Sequence, residues 1–171
     1  MQTFLPYEDF RQSAEALDYQ RLGKQRVETF QLLNVIRGVD KFGEPKQHKG
    51  WVNHPATVMW RQYPTALAYY GYVMCDEWKR RGYNDSLSEK FVSVLNGEGY
   101  DFELPYWLGR EELHRSHQSN LLRKKPEFYA ELFCGVPDDL PYVWYPETRA
   151  EFLKWFPDTL DLDLTKFISV N

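Results

Sequence analysis

Apolar residues recur at a helical period through most of the chain, and alternating strand patterns are nearly absent. Leu17, Val27, Phe30, Leu33, Val35 and Ile36 form one such series, and Gly38 follows where helices often stop. The pattern predicts one long helix over residues 13–36, weakened at Gly23. Residues 40–50, DKFGEPKQHKG, read as a polar loop carrying three lysines. Asn53-His54-Pro55 then opens a helix, with Asn53 as its cap and Pro55 in its first turn. That helix runs to Arg81, stops at Gly82, and breaks near Tyr63 because Pro64 cannot continue it. Shorter helices are predicted over residues 86–95, 111–125, 126–133 and 146–155, with a loop at 96–109. The expected fold class is all-α, a compact helical bundle.

A length of 171 residues suits one domain that buries its own core without staples. Six Trp, twelve Tyr and eleven Phe point to a core filled with rings or to a stacking surface. No apolar run approaches the ~20 residues that span a bilayer, and MQTFLPYEDF lacks the features of a signal peptide. Cys75 and Cys134 do not form a CxxC pair, which argues against a disulfide framework and a Cys-based zinc site. No membrane association and a cytoplasmic location are therefore the expectation. The net charge of −4 is unevenly spread. Residues 1–126 carry 18 Lys and Arg against 16 Asp and Glu, whereas residues 127–171 carry 3 against 9. A nearly neutral body with basic clusters thus precedes an acidic segment, and one face can still serve an anionic partner.

The densest polar constellation is Gln20, Arg21, Lys24, Gln25, Arg26 and Glu28. Helical spacing puts Arg21, Lys24 and Glu28 on one stripe. It reads either as a solvated face with weak ion pairs or as an anion-binding face with one carboxylate for acid–base work. The 110–125 helix repeats the theme with His114, His117, Lys124 and Lys125. Glu111, His114 and His117 have the spacing of a partial metal site. Contacts to phosphate, a cap and a buried polar bond are the other readings of the two histidines, and no metal or other cofactor is expected. Trp51, His54 and Trp60 cluster beside the basic loop, where aromatics next to cations can stack bases. Trp60, Leu67, Tyr70 and Met74 read as core instead. Lys79-Arg80-Arg81 is explained by the dipole at a helix C-terminus. Phosphate-gripping glycine loops and nucleophile elbows are missing. The free α-amino group, with an ordinary pKa of about 7.7–8.0, is a nucleophile able to form a Schiff base. Gln2, a bulky second residue, predicts that Met1 is retained and supplies that amine.

Three segments, in order, resemble the pyrimidine-dimer DNA glycosylase (endonuclease V) family. LDYQRLGKQRVE at 17–28 is similar to its first long helix, in which a glutamine precedes the catalytic glutamate by two turns, as Gln20 precedes Glu28. EWKRRGYN at 77–84 resembles the close of its central helix, and RKKPEFYAELF at 123–133 a stretch near its C-terminus. The resemblance covers most of residues 1–133 and divides the chain into a glycosylase-like helical domain, 1–135, and an acidic extension, 136–171, packed on it. It departs from the family pattern at Gln2, where an arginine is usual, and at Gln31, roughly where a further arginine stands.

The resemblance implies a DNA glycosylase with abasic-site lyase activity on damaged or modified pyrimidines in double-stranded DNA, acting as a monomer without a cofactor. Met1 would supply the amine and Glu28 would stabilise positive charge at the sugar. Gln2, Arg21, Lys24, Arg26, Trp51, His54, His114, His117, Lys124 and Lys125 would form the nucleic-acid surface. Two other readings stand beside it: a non-catalytic DNA-binding or inhibitor protein on the same scaffold, and an unrelated helical enzyme using His54, His114 and His117 with Glu28.

Overall fold

Two aspartates set the first two helices. Asp9 accepts a hydrogen bond from the Gln12 N–H and starts α1 (Phe10–Ala16), while Asp18 accepts from the amides of Gln20 and Arg21 and starts α2 (Tyr19–Arg37). The single helix expected over residues 13–36 is therefore two. Leu17 is extended at the joint, and the Asp18 carboxylate satisfies amides that a continuous helix would have paired with carbonyls. Gly38, left-handed at φ 65°, closes α2 by donating to the carbonyls of Asn34 and Val35. Gly23 has a packing reason: a Cβ there would lie 3.1 Å from the Trp78 ring.

The computed structural model describes residues 2–97 and 101–155. α3 (Pro55–Trp60) and α4 (Pro64–Arg80) are separated where Pro64 was expected to break the run. The cap of α3 is His54 rather than Asn53, its ring Nδ1 accepting from the Ala56 N–H at 3.2 Å. α4 packs against α1, α2 and α5 (Ser88–Leu95). α6 (Glu111–Lys124), α7 (Pro126–Tyr129) and α8 (Arg149–Trp155) follow. α7 is shorter than the 126–133 helix expected. Val39 and Pro45 form an isolated antiparallel bridge, and the described residues are otherwise helix, turn and loop, an all-α fold.

Rings fill the core. Trp60, Trp107, Tyr70 and Phe91 are fully buried, with Trp60 and Trp107 edge to face at 4.9 Å. Their polar atoms are satisfied: Trp107 Nε1 donates to the Met59 carbonyl and Trp60 Nε1 to Thr3 Oγ1. Arg80 and Arg81 do more than face a helix dipole. Both bind the buried Glu77 carboxylate, Arg80 at 2.6 and 2.8 Å and Arg81 at 2.6 Å. Arg81 also donates to the carbonyls of Leu17, Ala14 and Glu15, closing the end of α1. Burial works against ionisation of Glu77, but these bonds outweigh it and hold its pKa below the usual range.

The segment before α8 lies along α6, whose polar side chains take its backbone. Ser119 Oγ accepts from the Leu140 N–H, Ser116 Oγ accepts from the Val143 N–H, and Asn120 and Arg123 donate to the Leu140 carbonyl. Tyr145 donates to Glu112, and Arg61 pairs with Glu147 at 2.6 Å. Phe152 on α8 is buried, with the Arg110 guanidinium 4.3 Å from its ring centre.

Candidate active site

Residues 2–6 are buried, and side chains from three helices bind their backbone. Gln25 of α2 accepts from the Phe4 N–H at 2.9 Å and donates to the Gln2 carbonyl at 2.8 Å. From α6, His117 Nδ1 accepts from the Leu5 N–H at 2.8 Å, His114 Nδ1 donates to the Leu5 carbonyl at 2.8 Å, and Gln118 donates to the Pro6 carbonyl at 2.7 Å. The Tyr70 hydroxyl of α4 lies 2.8 Å from both the Phe4 carbonyl and Gln25 Oε1. A buried extended segment has no sheet partner for its peptide groups, so side chains must supply the bonds. At the end of this clamp the Gln2 N–H points to Glu28 Oε2 at 3.4 Å.

That contact lies in a cleft of about 540 Å³ lined by Gln2, Phe4, Gln20, Arg21, Lys24, Gln25, Glu28, Lys124 and Tyr142. Glu28 is the only carboxylate in this lining, and neither it nor Lys24 has an ion-pair partner among the described residues. Arg21 is held by Asp18 at 2.9 Å and by the Lys124 carbonyl at 3.2 Å. Lys125 stands 4.0 Å from Asp18, beside the rings of Tyr19 and Phe128. Burial would raise the Asp18 carboxyl, yet bonds from Tyr129 and Arg21 outweigh it and hold it below its ordinary value. Asp18 is thus committed to structure, while Glu28 faces open space among cations.

The family model for pyrimidine dimer DNA glycosylases matches residues 1–90. The chain belongs to that family. Searches of curated proteins and of solved structures give no match. As a member of the pyrimidine dimer glycosylase family, it is a DNA-acting protein. Among the described residues no helix is long and apolar enough to cross a membrane. The matched span contributes residues 2–6 and the α2 wall of the cleft. Lys124, Tyr142 and the histidines that hold the N-terminal segment come from beyond it.

Of the residues singled out in the sequence, Gln2, Gln20, Arg21, Lys24, Gln25, Glu28 and Lys124 meet at the cleft, with Lys125 next to them. Met1 lies outside the described residues. Arg26 does not face the cleft lining: it pairs with the buried Asp85 carboxylate and stacks 4.3 Å from the centre of the Trp78 ring. His114 and His117 are a correction to their reading as DNA contacts. Both are buried, and His114 uses its second nitrogen to accept from the Gly109 N–H at 3.1 Å, while His117 Nε2 lies 3.3 Å from the Gln2 amide. Burial lowers the pKa of each, to about 3 for His117, and so disfavours the charged form of both rings. The metal-like trio is not assembled either, since Glu111 is exposed and nearest Arg115. Trp51 and His54 lie outside the cleft, packed on each other at 5.0 Å.

Gln25 stands in the α2 constellation with no role assigned to it, and Tyr142 was not singled out. Gln25 carries a signal, because it shares the apolar face of α2 with Leu22, Thr29 and Leu32 at helical spacing. A polar residue on such a face must be bonded to something buried. Tyr142 carries none, since it sits in an extended segment whose path only the fold reveals.

Proposed function

We propose that the protein is a DNA glycosylase with abasic-site lyase activity on damaged or modified pyrimidines, with the α-amine at the start of the chain as nucleophile. The observation supporting this is the 3.4 Å contact from the Gln2 N–H to Glu28, because a buried clamp holds residues 2–6 beside the one carboxylate that the described residues give to a cation-lined cleft. In this reading the amine nitrogen bonds to the sugar C1′ as the C1′–base bond breaks, and the base leaves with the electron pair and takes a proton. Loss of the amine proton and opening of the sugar ring, with O4′ protonated, gives a Schiff base. Removal of a C2′ proton then expels the 3′ phosphate and cuts the strand. Glu28 stabilises the developing positive charge at C1′ and relays protons. Lys24, Lys124, Lys125 and Arg21 hold phosphates. Because the target base is stacked in a duplex, the enzyme extrudes or distorts it to reach C1′.

Borohydride trapping tests this with duplexes carrying an abasic site, a cyclobutane pyrimidine dimer or modified pyrimidines. Wild type is expected to give a covalent adduct that is lost when the N-terminus is chemically blocked, and the mass of the adduct peptide identifies the residue bearing the amine. Binding without an adduct on any duplex would replace this reading with a non-catalytic DNA-binding protein on the same scaffold.

A further inference from the structure

A row of rings leads out of the cleft. Phe4 and Tyr142 line it, with centroids 6.5 Å apart. Tyr142 contacts Trp144 at 5.7 Å, Trp144 contacts His54 at 6.0 Å, and His54 contacts Trp51 at 5.0 Å. Exposure grows along the row: Phe4 is buried, Tyr142, Trp144 and His54 are half-buried, and Trp51 is 49% exposed.

Trp51 is also the residue whose backbone the fold strains. Its φ of 66° is positive, the one non-glycine case among the described residues. A bulky side chain rarely adopts that conformation, and it persists only where neighbours impose it. Here they do: the Trp51 carbonyl accepts from Thr57 Oγ1 at 2.6 Å and from the His54 N–H at 3.1 Å, and Arg61 grips the Val52 carbonyl at 2.7 Å. The clamp presents a large apolar ring to solvent, which a packing role would not require. Lys41 and Lys46 line the same hollow as Trp51, so cations lie beside the outer end of the row.

We propose that this row is a stacking track for an unpaired stretch of DNA flanking the nucleotide in the cleft. Rings in series beside lysines are the two components of single-strand recognition: faces on which bases stack, and charge that follows the backbone. Bases in an intact duplex stack on each other and do not offer their faces, so the track selects a strand that is already open. The inference rests on the DNA-directed reading above and not on its Schiff-base chemistry.

Fluorescence anisotropy on the full chain tests it, comparing a paired duplex containing an abasic site with the same duplex opened into a bubble beside that site. Wild type is expected to bind the bubble on the order of tenfold more tightly, in line with the gain of about one stacked base. Trp51→Gly removes the ring and suits the left-handed backbone, and it abolishes the preference, as does Trp144→Ala. Trp51→Phe keeps it. Glu28→Gln loses trapping at the paired abasic site and retains the bubble preference, so the two readings fail separately. Equal binding of bubble and paired duplex by wild type, or an undiminished preference in both Trp51→Gly and Trp144→Ala, overturns the proposal.

Discussion

Two charge clusters in this fold have nearly the same composition and opposite fates. On α4, Glu77 meets Arg80 and Arg81; on α2, Glu28 shares a stripe with Lys24 and Arg21. In the first, the carboxylate is buried and bonded by both arginines, and Arg81 is further used on three carbonyls. In the second, the carboxylate and Lys24 border a cleft with no ion-pair partner among the described residues, and the one strongly paired cation, Arg21, is tied to Asp18 instead. Sequence spacing describes both as helix-surface ladders. What separates them is whether the fold has already answered each charge, and charges left unanswered beside a hollow are available to a ligand.

The largest expected effect breaks the open cluster. Glu28→Gln keeps the shape and removes the charge, so strand scission on an abasic duplex should fall by roughly 10²–10³-fold with an unchanged melting temperature, read by gel assay and thermal melt. Glu77→Gln should do the reverse. It strips the shared acceptor from two arginines and should cost about 2–3 kcal/mol in urea unfolding, less than a fully buried pair because Arg80 remains solvated, while cleavage at low temperature persists.

Acid should separate the two kinds of interaction again. His117 has a folded pKa of about 3 against an unfolded value near 6.5, so between these values the unfolded chain binds the extra proton. Stability from this group is complete above about pH 6.5 and is lost as pH falls toward 3, by up to ~1.4 kcal/mol per pH unit. Asp18 and Glu77 have lowered pKa values, so their contribution is present above their ordinary carboxyl values and disappears only below them. Urea titrations at stepped pH should therefore show the slope beginning near pH 6.5, and His117→Asn should reduce that early part, leaving the share that the buried His114 contributes. The smallest effect is expected at Lys24: Lys24→Ala should lower the salt dependence of DNA binding by about one unit of slope with little change in stability.

How much of this was legible follows from how local each cause is. Pro64 and Gly38 act within a turn of themselves, and both boundaries were readable. The break at Asp18 was hidden because the apolar series continues across it at helical period. Its carboxylate is fixed from a distance by the Tyr129 hydroxyl at 2.7 Å, 111 residues away. At the site, the α2 stripe was visible because one helix carries it. The roles of Arg26, His114 and His117 were not, since Asp85 and the Leu5 backbone become their partners only after the chain closes on itself.

The clamp on residues 2–6 has a consequence for the order of events during synthesis. Gln25 is made soon after the segment it holds, but His114, His117 and Gln118 follow more than a hundred residues later, with Leu5 and His117 separated by 112 positions. A chain still emerging from the ribosome carries Glu28 and its cations long before the first residues can be fastened beside them. The α6 turn that bears His117 therefore acts as a completion signal. Fragments that end before it should remain inert toward DNA, whatever their helix content.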